Sequence, residues 1–233
     1  MRYLFSVLLV LLTITNAYPL TVYKYSCFAI NRSGSYEKDS SGNLIPRDGK
    51  YAIDAYLEPV ETALVIMDPW VDMKIQSIND CYAGIIKSKI LPLSESMSAN
   101  GYKIIIVTNN EISRSWGGVI HPLLADMVDT KKAILEFHQS HDSQGFADYL
   151  KKIGVESLIY CGFASNMCVL YTEHGLIPMR GKGYRLYFVP EASAAMEIGE
   201  GWKTGELHKA MTKVIGQGIA QLIDYKDLMQ EVR

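Results

Sequence analysis

The sequence predicts an α/β fold: an open, mostly parallel sheet with helices on both faces. Three observations predict it. The segments 62–67, 102–108, 155–160 and 184–189 are short and dense in aliphatic and β-branched residues. Their apolar runs are continuous rather than alternating, which fits strands buried on both faces of a parallel sheet. Between them lie stretches with helical apolar spacing, so strands and helices alternate as in βαβ units, whose right-handed crossovers place helices on both faces. A chain of 233 residues suffices for one such domain with a sizeable core.

The chain opens on a targeting signal, residues 1–17. Arg2 makes a positive start, Leu4 to Leu12 form an apolar stretch, and Thr13 to Ala17 end in a small residue suited to cleavage. The apolar stretch is shorter than the ~20 residues that span a bilayer. A secreted or periplasmic product follows, with no membrane attachment after cleavage. Residues 18–60 are rich in polar and turn-forming residues, among them Asn31-Arg32-Ser33-Gly34-Ser35 and Pro46-Arg47-Asp48-Gly49. They read as a loop-rich N-terminal arm or a small hairpin. The domain proper is assigned to residues 61–233.

Within it, Thr62 to Met67 forms the first strand and ends at Asp68. Residues 75–98 repeat apolar positions with helical spacing, and Tyr102 to Thr108 is the second strand. Helical pieces follow over 122–127 and 145–153. Val155 to Tyr160 is the third strand, 169–179 a helix, and Tyr184 to Val189 the fourth strand. A helix over 204–215 begins at Thr204, a suitable N-cap, and stops at Gly216. A short closing strand (221–223) and a terminal helix (226–232) complete the chain. The formal net charge is −2, with no cluster of Lys and Arg, which excludes a nucleic-acid footprint. There are four cysteines, and export implies an oxidising compartment. Cys27–Cys81 is the favoured bridge, because Cys161 and Cys168 flank one tight turn.

In an open parallel sheet, ligands bind beyond the carboxyl ends of the strands. Asp68 ends the first strand, and Cys168 follows the third within Tyr160-Cys161-Gly162-Phe163-Ala164-Ser165-Asn166-Met167-Cys168-Val169. A thiol opening a helix feels unpaired N–H groups that favour thiolate, and a neighbouring carboxylate can act as its general base. Taken alone, Asp68 before Pro69 reads better as a helix cap or a turn residue. A cationic third partner is expected, and Lys131 and Lys132 lie between the second and third strands. Composition alone does not select them.

Two segments carry a family resemblance. Ala63-Leu64-Val65-Ile66-Met67-Asp68-Pro69-Trp70 resembles the opening strand of the isochorismatase-like cysteine hydrolases. Gly162-Phe163-Ala164-Ser165-Asn166-Met167-Cys168-Val169 resembles their Gly-x-x-Thr-x-x-Cys-Val nucleophile segment, with Ser165 at the Thr position. Phe146 to Leu150 and Gly183 to Ala192 match the flanking helix and strand, so the likeness spans about residues 60–228. It implies the family's three-layer α/β/α architecture and an Asp–Lys–Cys triad of Asp68, Lys131 and Cys168, with Lys132 as the alternative lysine. It also implies an oxyanion hole of the Ala164 and Cys168 N–H groups, and a cis peptide at Phe163–Ala164. Homo-oligomers are common in the family, so at least a dimer is expected.

Nicotinamidases of this family bind a metal through Asp-x-His and a further His after the second strand. Here the region reads Val107-Thr108-Asn109-Asn110-Glu111-Ile112-Ser113, and no histidine follows until His121, which suits a capping role better. No catalytic zinc and no cofactor are expected. Trp70 and Trp116 are candidate pocket aromatics. The expected activity is hydrolysis of a small amide, carbamoyl, ureido or vinyl-ether substrate through a covalent cysteine intermediate. The alternative is an exported binding domain that kept the fold without the chemistry.

Overall fold

The computed structural model describes residues 19–109 and 117–233. The targeting segment 1–17 and Trp116 lie outside the described residues. Strands β1 (Leu20–Phe28) and β2 (Pro46–Ala55) come first, then β3 (Thr62–Met67) and β4 (Trp70–Met73). Helices α1 (Gln76–Ile85) and α2 (Leu91–Ala99) follow, joined by a π-helical turn at Ile86–Ile90. Next come β5 (Lys103–Thr108), β6 (Gly117–Ile120), α3 (Pro122–Asp129), β7 (Ile134–Phe137), α4 (Ser143–Lys152) and β8 (Ser157–Phe163). Two single turns, α5 (Cys168–Tyr171) and α6 (Leu176–Met179), precede β9 (Arg185–Ala194). Then α7 (Gly201–Thr204), α8 (Glu206–Gly218), β10 (Gln221–Leu222) and α9 (Tyr225–Glu231) close the chain.

The main sheet runs β2-β1-β10-β9-β8-β3-β5-β7. From β10 to β7 every pairing is parallel, whereas β1 is antiparallel to both β10 and β2. The expected parallel α/β sheet is therefore present. Its central strand, β3, is buried at all six residues. Alternate β3 residues face opposite layers. Leu64 and Ile66 pack with Ile78, Tyr82, Ile90 and Leu93 of α1, the π turn and α2. Ala63, Val65 and Met67 pack with Phe146 and Leu150 of α4 and Ile215 of α8. Each large aliphatic side chain buried this way stabilises the fold by about 1.5–3 kcal/mol. Among the described residues, no helix is long and apolar enough to cross a membrane.

Three expectations need correction. The arm 18–60 is not loop-rich: β1 and β2 form a long hairpin that joins the main sheet where Tyr23 pairs with Leu222. Its polar turns obscured the alternation of Leu20 and Val22, whose side chains are buried. The helix expected over 169–179 breaks into α5 and α6. Gly175 is extended there, and an added Cβ would meet the Leu170 backbone at 2.9 Å. The short strand β7, between the second and third expected strands, went unrecognised.

The β8 backbone approaches β3 closely at Gly162. Gly162 has φ +100°, and a Cβ on it would lie 2.2 Å from the Met67 carbonyl oxygen. Gly162→Ala is therefore expected to destabilise the protein by about 2–5 kcal/mol, from left-handed backbone strain and overpacking together. Urea unfolding checks it, and a change below 1 kcal/mol would contradict the close approach.

Candidate active site

The chain order of the strands creates the site. From β3 the chain moves outward to β5 and β7, then returns to lay β8 against the other side of β3. The crossovers on the two sides of that junction leave a crevice at the carboxyl ends of the strands, the usual ligand position in such sheets. Met67 pairs with Gly162, so Asp68 leaves β3 beside the turn that carries Phe163 to Cys168.

Asp68 is almost fully buried. Its backbone sits in the left-handed region at φ 43°, held by an N–H bond to the Val107 carbonyl and by the Trp70 N–H donating to its own carbonyl, each 2.8 Å. The His138 Nε2 lies 3.1 and 3.2 Å from the two carboxylate oxygens. An ionised carboxylate only accepts, so Nε2 carries the hydrogen in this pairing. The His138 backbone N–H bonds the Thr108 carbonyl at 2.8 Å, which places the ring at the end of β7 and over the end of β5.

The ligand atoms of Asp68, His138 and Cys168 all lie within 4.8 Å of one another. Burial pushes the Cys168 thiol well above its ordinary value, and the negative charge and hydrogen bond of Asp68 push the same way. The N–H groups of Ala164 and Cys168 reach the sulfur and act in the opposite direction, but more weakly. The resting pair is thus a neutral thiol donating to a carboxylate. The thiolate-favouring helix start expected from sequence is outweighed, because α5 is a single turn and the sulfur is buried beside an anion.

The loop from Phe163 to Cys168 is fixed on several sides. Its Phe163–Ala164 peptide is cis. Ser165 is buried, donates its backbone N–H to the Ala194 carbonyl at 2.8 Å and its hydroxyl to His208 Nδ1 at 2.9 Å. Asn166 exchanges side-chain hydrogen bonds with the Met196 backbone at 2.8 and 3.2 Å. The result is that two N–H donors, those of Ala164 and Cys168, converge at the sulfur.

Beside the thiol lies a cavity of about 220 Å³ lined by Asp68 and Cys168 together with Trp70, Tyr82, Phe163 and Met196. Tyr82 stacks on Phe163 with ring centroids 3.8 Å apart, and its buried hydroxyl has no hydrogen-bond partner among the described residues. Trp70 donates Nε1–H to Thr108 Oγ1 at 2.8 Å, which turns its ring along the cavity wall. Among the described lining residues, Asp68 is the sole charged one. A larger groove between the hairpin and β9 is distant from this chemistry.

Several sequence expectations are not met. Lys131 and Lys132 are exposed and precede β7, at the opposite end of a parallel strand from Asp68. Lys131 occupies a left-handed turn position, φ 59°, after α3. Lys132 lines a separate groove with Glu95 and Asp126. The residue that meets Asp68 is His138. Its signal was the short apolar run Ala133-Ile134-Leu135, which marks β7 and puts His138 at a strand end. All four cysteines are free; Cys27 is exposed near the end of β1 while Cys81 packs on α1 against the core, so the expected bridge is absent. Cys161 is fully buried in β8. His121 caps α3, its Nδ1 accepting from the Leu123 N–H at 3.3 Å.

Thr108, which ends β5, and Asn109, the described residue after it, offer neither imidazole nor carboxylate. Elsewhere the structure gathers Glu136, His141 and His174, whose ligand atoms lie within 4.8 Å of one another. Burial, then the neighbouring His138 and His141, hold His174 down to about 4, so its ring is neutral.

The model of the Isochorismatase domain matches residues 62–227. Comparison with curated proteins gives no significant match. Among solved structures, the chain is similar to a cysteine hydrolase from Pseudomonas syringae pv. phaseolicola 1448A, at 15% identity and a TM-score of 0.53 over 76% of this chain and 94% of that one. It is similar to the YcaC gene product from Escherichia coli, an octameric hydrolase of unknown specificity, at 16% identity and a TM-score of 0.56 over 75% and 80%. It is also similar to the nicotinamidase SaPncA from Staphylococcus aureus, at 14% identity and a TM-score of 0.52 over 70% and 98%. With the matched model spanning β3 to α9, the chain belongs to the isochorismatase family of cysteine hydrolases.

Proposed function

We propose that this protein is an exported hydrolase that cleaves a small, uncharged amide, carbamoyl or ureido compound at Cys168. The observation that carries the reading is the contact set Cys168–Asp68–His138 at the mouth of an apolar cavity. Asp68 is the one charged residue among the described lining residues, and its carboxylate repels an anionic substrate, which disfavours a carboxylate-bearing vinyl ether. The cavity volume, about 220 Å³, suits a small molecule. The export reading rests on the pattern of residues 1–17.

The chemistry follows from the contacts. As the sulfur adds to the substrate carbonyl, the thiol proton passes to Asp68, and the Ala164 and Cys168 N–H groups receive the developing oxyanion. The tetrahedral adduct collapses to a thioester, and protonated Asp68 returns its proton to the departing amine. Water then adds to the thioester with Asp68 again accepting the proton, and the acid product leaves with the thiol restored. His138 serves as a positioning residue: Nε2–H holds the carboxylate toward the sulfur, in the place the resemblance gives to a lysine. Keeping the thiol neutral at rest reduces its exposure to oxidation outside the cytosol.

A panel of small neutral amides, read by intact mass, tests the reading. A thioester adduct on Cys168, absent in Cys168→Ala, is expected. Asp68→Asn should slow turnover by about 10²–10⁴-fold. His138→Gln should slow it by about 10²-fold and move the pH profile, with His138→Lys recovering much of the loss. Turnover that survives Cys168→Ala would sink the proposal.

The raised thiol sets a pH dependence. Iodoacetamide alkylation of Cys168 should be slow at neutral pH and climb throughout the alkaline range, because a raised acid ionises later. Asp68→Asn removes the adjacent anion, so alkylation should shift to lower pH even as turnover falls. Fast neutral alkylation of the wild type would contradict the buried thiol–carboxylate pair.

The octameric Escherichia coli relative supports a homo-oligomer here, and exposed Val60, Tyr171 and Ile198 supply apolar surface for one. Native mass spectrometry of the exported protein should show at least a dimer of chains beginning at Tyr18. A strict monomer at micromolar concentration, or a retained leader, would reject the respective part.

A further inference from the structure

Behind His138 lies a second cluster that the hydrolytic reading does not use. Glu136 is on β7, His141 precedes α4, and His174 lies between α5 and α6. Glu136 and His174 are buried, whereas the His141 side chain is 36% exposed, which leaves a path from solvent. His174 is fully buried, and neither ring nitrogen has a hydrogen-bond partner among the described residues. Burying a polar group without a partner forfeits its hydration, so two such nitrogens on one ring call for a ligand. The ring cannot swing away freely: it packs on Phe146 with centroids 4.4 Å apart, and Tyr160 donates to the His174 carbonyl at 2.8 Å. His141 Nδ1 and the Glu136 carboxylate are 3.4 Å apart without the alignment of a hydrogen bond. Two ligands about 2.1 Å from a tetrahedral zinc ion lie about 3.4 Å apart.

We propose that Glu136, His141 and His174 bind one divalent transition-metal ion, with zinc the best match to the donors. Two imidazoles and one carboxylate form a recognised zinc set, and a fourth position stays open toward solvent beside His141. The site is separate from the position after β5 and from the cysteine nucleophile. It would tie the end of β7 to the start of α4 and the α5–α6 loop. It also neighbours the Cys168–Asp68–His138 set, since the His174 ring lies 6.1 Å from the His138 ring and the His138 Nδ1 is itself buried without a partner among the described residues.

Zinc chloride titrated into the full mature protein, previously stripped with a chelator, tests the proposal by calorimetry, with cobalt absorption as a second readout. One ion per chain should bind, and zinc should raise the melting temperature. His174→Phe and His141→Ala should each weaken binding by at least about 100-fold, the second being the variant least able to disturb folding because its side chain is partly exposed. Cys168→Ala should leave binding intact. Failure to bind zinc at micromolar concentration overturns the site, as does undiminished binding in His141→Ala. Binding lost in Cys168→Ala, with a thiolate-to-cobalt band that disappears in the same variant, would put the ion on the Cys168–Asp68–His138 set instead and equally overturns it.

Discussion

The close approach of β8 to β3 is the constraint on which the rest depends. Gly162 lets the β8 backbone pass within a distance of the Met67 carbonyl that no side chain permits. That contact sets Met67 opposite Gly162, and so sets Asp68 beside the loop leading to Cys168. Moving either strand by one residue would send alternate side chains to the wrong face of the sheet and separate the two reactive groups. The packing of Leu64 and Ile66 on one side and Val65 and Met67 on the other locks that register from both layers.

Electrostatics within the crevice follow from burial. A thiol beside a buried carboxylate is held neutral, since a second anion in the same small space is disfavoured more than two N–H donors can offset. In the proposed mechanism, reactivity depends on moving the proton to Asp68 when an electrophile arrives, and on the Ala164 and Cys168 N–H groups that the loop holds at the sulfur. Asp68 is supported by its own backbone contacts and by His138. That imidazole reaches it because β7 lies one strand beyond β5, with its end level with Thr108.

The edge of the sheet shows a different solution. A parallel sheet ending at β10 would leave a two-residue strand as its border. The β1–β2 hairpin covers it, burying Leu20 and Val22 and adding antiparallel strands that do not take part in the crevice. Exposed edges invite pairing with other chains, and here the border is moved to a polar strand, β2, most of whose residues are only partly buried or exposed.

Composition and periodicity determined the parallel α/β class, because continuous aliphatic runs such as Thr62 to Met67 have few other stable placements. They also determined that Asp68 and Cys168 stand at strand ends, since each directly follows such a run or its turn. The hairpin and β7 were less legible: β1 and β2 are long strands of mixed polar and apolar residues flanked by polar turns, and β7 has only four residues. The resemblance implies a lysine, Lys131, beside Asp68, whereas His138 stands there and Lys131 lies at the opposite end of β7. Which groups meet Asp68, whether cysteines pair, whether the thiol is charged, and that Glu136, His141 and His174 converge were decided only by tertiary structure. The physical reason is common to all four: they depend on distances across strands and on exclusion of water, and neither is encoded in local spacing along the chain.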